Sequence, residues 1–180
     1  MGFDIHGMNP VERVFEEEKY PTYNKYSNMD FAERQEIFND NEGLQSKYFD
    51  EMTQRENENP GIYFRNNVWW WRPLWAYICD ECDDILNEED MEEGQSNSGH
   101  IISEEKSIAI ADRLDNLIDS GAVKKEEVEH MAMIEQARDD NEGKKCSDKG
   151  YQWVANYPFD EQNVRDFSKF CRESGGFEIC

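Results

Sequence analysis

Four of the five tryptophans of this chain lie within eight residues, between Val68 and Trp75. Tryptophan carries a large contact area on few rotatable bonds, so such a cluster forms either the centre of a small core or a surface on which a partner stacks. Pro73 suits the first turn of a helix, and the apolar residues after it recur at helical spacing. The pattern predicts a helix from Pro73 to about Leu86, with Trp75 in the core.

The three tryptophans before this helix have two interpretations. They are predicted to form an extended segment, in which successive side chains point to opposite faces. Trp70 would then oppose Trp69 and Trp71, leaving one face partly exposed. Either the cluster is core, or it is a platform on which a base stacks while Arg65 or Arg72 binds the phosphate.

Charge narrows the choice of partner. The 180 residues include 41 Asp and Glu against 19 Lys and Arg, a net charge of −22, whereas magnitudes of about 2–8 suffice to keep a small domain soluble. This charge opposes binding to nucleic acid or to an anionic membrane and favours a basic partner. The alternative is a halophilic or simply very soluble protein. No apolar run approaches a membrane span and no signal peptide is visible, so we expect a cytoplasmic protein.

The acidic residues are concentrated after the tryptophans. Residues 80–93 contain nine acids in fourteen positions and no Lys or Arg. Carboxylates three or four positions apart on a helix lie about 5–6 Å apart at Cβ, so such a surface can act as a decoy for a protein that binds nucleic acid. The alternative is an ordinary solvated face. The predicted partner-binding residues are Asp80, Glu81, Asp83, Asp84, Glu88, Glu89, Asp90, Glu92 and Glu93.

A zinc site is the alternative interpretation of Cys79-x-x-Cys82. His100 or Cys146 would have to complete the tetrahedron. Both cysteines of the pair lie on the apolar face of the predicted helix, no second pair has matching spacing, and the acids between them disfavour thiolates. We therefore expect buried thiols in a reducing compartment, with no metal and no cofactor.

The fold class is indicated by the mixture of periodicities. Residues 1–180 are expected to form a single helix-dominated α+β domain with a small β-sheet. Residues 11–60 are less apolar than the chain beyond residue 60, and they are expected to form a peripheral helical insertion. Helix caps are predicted at Asp30, Ser103 and Asp160. Strands are predicted over 1–8, 62–64, 151–155 and 177–180, and a polar loop over 94–102.

No enzyme motif supports catalysis. A glycine-rich phosphate loop, a His-Glu-x-x-His zinc motif and a nucleophile elbow are all absent from the sequence. The three histidines, His6, His100 and His130, are far apart with no serine or cysteine signature near them. We expect a protein that is not an enzyme.

Several segments resemble small uncharacterised proteins encoded by bacteriophages and some bacteria. They are residues 1–10 (MGFDIHGMNP), 63–75 (YFRNNVWWWRPLW), 99–103 (GHIIS) and 175–180 (GGFEIC). The resemblance covers about half of the chain and does not extend over 11–60 or 122–150. It implies a phage setting, and it transfers no catalytic or binding residue because no activity is established for the group.

Three functions are compatible with these features. The first is a non-enzymatic, phage-encoded protein that inhibits a basic, nucleic-acid-binding host defence protein by charge mimicry, without binding nucleic acid itself. The second is a nucleotide-binding protein that sequesters or cleaves a small signal through its tryptophan cluster. The third is a structural protein with no such ligand.

Overall fold

A computed structural model describes residues 2–11 and 19–180, which form eight α-helices, four β-strands and one 3-10 helix. The strands are β1 (Gly2–Gly7), β2 (Tyr63–Asn67), β3 (His100–Ile102) and β4 (Phe177–Ile179). The helices are α1 (Pro21–Tyr26), α2 (Phe31–Asn39), α3 (Glu42–Glu58), α4 (Val68–Glu81), α5 (Glu88–Glu93), α6 (Glu104–Asp119), α7 (Ala122–Asp140) and α8 (Glu161–Glu173), with the 3-10 helix at Trp153–Asn156. The prediction of a helix-dominated α+β domain with a small sheet is confirmed.

The four strands form one antiparallel sheet in the order β2-β1-β4-β3. In β1, Phe3 and Ile5 are buried while the residues between and after them are not. Ile5 pairs with Phe64 of β2 on one side and with Ile179 of β4 on the other. The alternation therefore gives the sheet one apolar face, and the helices cover it.

The core is centred on Trp71. Its ring is stacked between those of Phe3 and Trp75, with centroids 5.3 Å away in each case, and Phe167 of α8 meets it edge-on at 5.6 Å. Helices α4, α6 and α8 contribute most of the buried residues around it. The predicted inward face of α8 is confirmed, because Val164, Phe167, Phe170 and Cys171 are all buried.

The predicted start of α4 at Pro73 is wrong. The helix begins at Val68, because the Asn67 side chain caps it by accepting hydrogen bonds from the backbone N–H groups of Trp69 (3.0 Å) and Trp70 (3.3 Å). Pro73 lies inside the helix, where it removes one backbone hydrogen bond. Burial of four side chains at helical spacing offsets that cost: Trp71, Leu74, Trp75 and Ile78.

The strand predicted over 151–155 is also wrong. This segment contains the 3-10 helix Trp153–Asn156, which packs against α7 and not in the sheet. The Asn141 side chain, after the end of α7, forms two hydrogen bonds with the backbone of Gln152, at 2.7 and 2.9 Å, and these hold the segment there. The predicted loop over 94–102 contains a short strand, since β3 begins at His100.

A second, smaller cluster of buried side chains lies among α1, α2 and α3. It consists of Tyr26, Phe38 and Tyr48, with four partly buried apolar residues around them. Helix α2 begins at the predicted Asp30 cap. These helices fall within 11–60, where a peripheral insertion remains the interpretation from sequence; residues 12–18 of that range lie outside the described residues.

None of the helices in the described ranges combines the length and the apolar character that crossing a bilayer requires.

Gly94 supplies a stringent test of the core. It lies directly after α5, and a Cβ placed on it would be 2.2 Å from Cε2 of Trp75. We expect Gly94→Ala to lower the free energy of unfolding by about 2–3 kcal/mol, the upper part of the range for overpacking a rigid core, since an indole ring cannot yield as a flexible chain does. Urea denaturation followed by tryptophan fluorescence measures this.

The matched control is Gly43→Ala in α3, where the nearest atom to the new Cβ is 3.7 Å away. There the same change should be neutral or stabilise by up to about 1 kcal/mol, because alanine loses less backbone entropy than glycine in a helix. Equal effects of the two substitutions would contradict the packing described around Trp75.

Candidate partner-binding surface

The acidic run folds as the end of α4, a turn, and the short helix α5. A capping box starts α5: the backbone N–H of Asp90 donates to Oδ1 of Asn87 (2.8 Å), and the backbone N–H of Asn87 donates to Oδ2 of Asp90 (3.0 Å). A helix of six residues is too short to persist by itself in water. Its position therefore depends on contacts with the rest of the protein.

Two tryptophans of α4 supply the first of these contacts. The indole N–H of Trp71 donates to the carbonyl of Gly94 (2.8 Å), and that of Trp75 donates to the carbonyl of Met91 (3.2 Å). Both accepting carbonyls belong to the C-terminal end of α5 or the residue after it, where backbone acceptors lack partners within the helix. The tryptophan cluster thus holds the acidic helix against the core.

Asp90 supplies the second contact, and its placement corrects the predicted binding face. Only 4% of this residue is exposed. Its carboxylate accepts a hydrogen bond from Lys106 of α6 and lies 2.9 Å from Nε2 of His100 in β3. Asp90 is a buried anchor that presents almost no surface to a partner, because its side chain faces β3 and α6.

The ionisation of Asp90 follows from these partners. Burial would raise the pKa of its carboxyl group, but hydrogen bonds from Lys106, from the backbone of Asn87 and from His100 outweigh burial and hold the pKa below its usual value. The carboxylate is therefore charged at neutral pH.

Arg113 of α6 supplies the third contact. Its guanidinium donates to the backbone carbonyl of Glu81 and, through Nη2, to both carboxylate oxygens of Asp84, at 3.0 and 2.9 Å. Hydrogen bonding from Arg113 lowers the pKa of the Asp84 carboxyl group. Asp84 remains exposed, yet its charge is largely matched by Arg113.

Six of the nine predicted binding residues remain as an outward-facing set, here called the acidic surface: Asp80, Asp83, Glu88, Glu89, Glu92 and Glu93. Within residues 2–11 and 19–180, no lysine or arginine forms an ion pair with any of them. Glu93 accepts hydrogen bonds from the hydroxyls of Ser96 (3.4 Å) and Ser98 (2.7 Å). Glu81 is half-buried and lies at the edge of this set.

The residues considered for zinc do not come together. Cys82 is buried and Cys79 half-buried in the core, and burial raises the pKa of their thiols to about 12 and about 11. His100 is engaged with Asp90, and Cys146 is exposed. The described residues contain no group of three or more His, Cys, Asp or Glu side chains arranged to hold a metal ion.

The three adjacent tryptophans considered for a nucleotide point in different directions, because they lie on a helix and not on an extended segment. Trp71 is core, Trp69 packs on Tyr157 with ring centroids 5.1 Å apart, and Trp70 lines a separate shallow cleft beside α8. Arg72 donates to the Tyr157 hydroxyl (3.1 Å).

Arg65 lies apart from that group. It is on β2, with its Nε 3.5 Å from a carboxylate oxygen of Asp4, and it lines another cleft between α3, β2 and α8. The three adjacent tryptophans therefore do not form one stacking platform, although Trp69 and Arg72 meet at Tyr157.

The sequence pattern does not reveal the residues that hold the acidic segment in place. Lys106 and Arg113 are 16 and 32 residues from the groups they bind. No local pattern connects them to residues 80–93. The one signal in the sequence is that α6 presents basic side chains between its apolar positions.

The chain matches no protein-family model, no curated protein and no solved structure.

The Asp90 anchor predicts a pH-dependent contribution to stability. Asp90→Asn should lower the free energy of unfolding at pH 7 by about 2–3 kcal/mol, somewhat less than the roughly 3–5 kcal/mol typical of a broken buried pair, because Lys106 is partly exposed. The folded pKa is below the unfolded value of about 3.9. The contribution is therefore complete above that value and lost as the pH falls through the folded pKa.

Urea denaturation of the wild type and Asp90→Asn at several pH values measures this difference. It should narrow steadily below about pH 4. Asp84→Asn is the control, since its ion pair with Arg113 is exposed and exposed pairs contribute little to stability. A difference that stays constant from about pH 7 to about pH 3 would show that the Asp90 carboxylate is not the source of the stability.

Proposed function

We propose that this protein is a non-enzymatic binding protein that blocks a basic, nucleic-acid-binding protein by presenting the acidic surface in place of nucleic acid. The observation that carries the proposal is a set of six exposed carboxylates that the fold holds in place without pairing them with a cation among the described residues. The partner is expected to be a host defence protein, and the site of action the host cytoplasm.

The charge distribution supports this proposal. Like charges held close together repel one another and destabilise the folded state. Unpaired acids on adjacent helices therefore lower the stability of the free protein, and a basic partner would relieve this repulsion. DNA carries about one negative charge per 3.4 Å of axis on each strand, and carboxylates three or four residues apart on a helix form a sparser row, about 5–6 Å apart at Cβ. A protein surface that recognises phosphates would meet a row of negative charges here.

The rigidity of the segment is the second support. The indole donors, the buried Asp90 carboxylate and the Arg113 guanidinium fasten it at three places. A surface that is ordered before binding loses less conformational entropy when the partner arrives. The three fastening groups are needed for order in this segment whatever the partner is.

The setting comes from the resemblance to small phage proteins. Residues 1–10 and 63–75 carry that resemblance, and a phage-encoded acidic protein has a natural target in the nucleic-acid-binding defence proteins of its host. The nucleotide-binding alternative has less support, since Trp69, Trp70 and Trp71 have different surroundings and Arg65 lies apart from all three.

The test is a comparison of two variants with the same change in charge. The first neutralises four members of the acidic surface: Asp83→Asn, Glu88→Gln, Glu89→Gln and Glu92→Gln. The second neutralises four acids elsewhere on the surface: Glu33→Gln, Glu42→Gln, Asp50→Asn and Glu135→Gln. A basic protein captured from host lysate at low salt is purified, and its affinity for each form is measured by titration, together with displacement of DNA from it.

We expect the first variant to lose at least about tenfold in affinity and to stop displacing DNA, while the second binds like the wild type. Affinity of the wild type should fall by at least about tenfold between roughly 50 and 200 mM salt, as charge pairing across an interface requires. Salt-insensitive binding, or equal losses in the two variants, would reject charge mimicry by the acidic surface.

A further inference from the structure

A small cleft lies beside the acidic surface, between α4 and α7. Its volume is about 190 Å³, below the roughly 300–1,000 Å³ of clefts that hold small-molecule ligands. It has room for one side chain of a partner. The residues that line it are Pro73, Ala76, Tyr77, Asp80, Glu81, Glu126, His130 and Phe159.

Three aromatic rings form its wall. The rings of Tyr77 and Phe159 are tilted with centroids 5.1 Å apart, and those of Phe159 and His130 are 5.8 Å apart. Nε2 of His130 lies 2.6 Å from the carbonyl of Tyr157, so this nitrogen carries a proton and the ring is fixed. The wall is therefore rigid, and π faces attract cations.

Three carboxylates from two helices surround the rings. Asp80 and Glu81 come from the end of α4, and Glu126 comes from α7, one helical turn before His130. Burial, and then the charges of Glu81 and Glu126, raise the pKa of the Tyr77 hydroxyl, so it stays neutral. The cleft thus combines neutral aromatic walls with negative charge.

Among the described residues, no lysine or arginine lines this cleft. The nearest lysines on α7 face other carboxylates, since Lys124 pairs with Glu127 (2.7 Å) and Lys125 with Glu129 (3.4 Å). Arg113 is held by the Glu81 carbonyl and by Asp84. Within the described part of the chain, the cleft has negative charge and aromatic faces but no cation of its own.

We infer that the cleft between α4 and α7 receives one arginine side chain of the basic partner. A guanidinium is planar, stacks on aromatic faces and pairs with carboxylates through a fork of donors, so it matches both components of the cleft. The inference rests on the proposed function, because it names the side chain that the partner contributes. It places that contact next to Asp80, a member of the acidic surface.

The probe is N-acetyl-arginine amide, with N-acetyl-citrulline amide as its neutral isostere. Each is titrated into the full-length protein at low salt, and NMR follows the ring resonances of Tyr77, His130 and Phe159. We expect the arginine compound to shift these resonances with a dissociation constant of about 1–10 mM, as suits a single side chain. The citrulline compound should not shift them.

Two variants test the location. Glu126→Gln should weaken binding about threefold to fivefold, while Glu135→Gln, an exposed glutamate further along the same helix, should leave it unchanged. Ala76→Leu fills the cleft from its exposed rim without changing any charge and should abolish the shifts. The dispersion of the remaining resonances reports whether each variant is folded.

Equal shifts by the two compounds, or equal losses in Glu126→Gln and Glu135→Gln, would overturn the inference. This titration uses no protein partner, so its failure leaves the proposed function to be judged by the salt-dependent affinity experiment. Conversely, the arginine compound could bind while no basic partner shows salt-dependent affinity. That result would support the arginine site in the cleft and reject charge mimicry.

Discussion

The indole hydrogen bonds of Trp71 and Trp75 are the contacts on which the arrangement depends. They join the centre of the core to the carbonyls at the end of α5. The same two rings stack on one another, and that of Trp71 also stacks on Phe3 of the sheet. Leucine in place of either tryptophan would bury less apolar area and would have no donor to satisfy these carbonyls.

Charge is arranged around this core in two distinct ways. Asp90 is charged, buried and fully engaged by Lys106 and His100, so it contributes to structure. The carboxylates of the acidic surface are charged, exposed and without a basic partner among the described residues. The position of a residue in the acidic run therefore does not decide its role. A side chain that points from the short helix into the protein supports the structure, and one that points to solvent is available to a partner.

Local signals predicted the elements whose determinants are local. The inward face of α8 and the caps at Asp30, Ser103 and Asp160 follow from periodicity and side-chain chemistry within a few residues. The start of α4 was not predicted, because a proline usually marks the first turn of a helix and Pro73 indicates a start there. In this chain the Asn67 cap and the burial of Trp71 place the start at Val68. The burial of Asp90 depends on partners 10 and 16 residues away, which spacing alone cannot identify.

The brevity of α5 has a consequence for how any variant of this protein must be interpreted. Six residues held by side chains of the core cannot fold without it. Amide protons of α5 should then exchange with solvent at least as often as the whole domain opens. A substitution deep in the core can therefore abolish partner binding by lowering the fraction of folded molecules. A substitution of an outer carboxylate can abolish the same binding by removing a contact, with the fold unchanged.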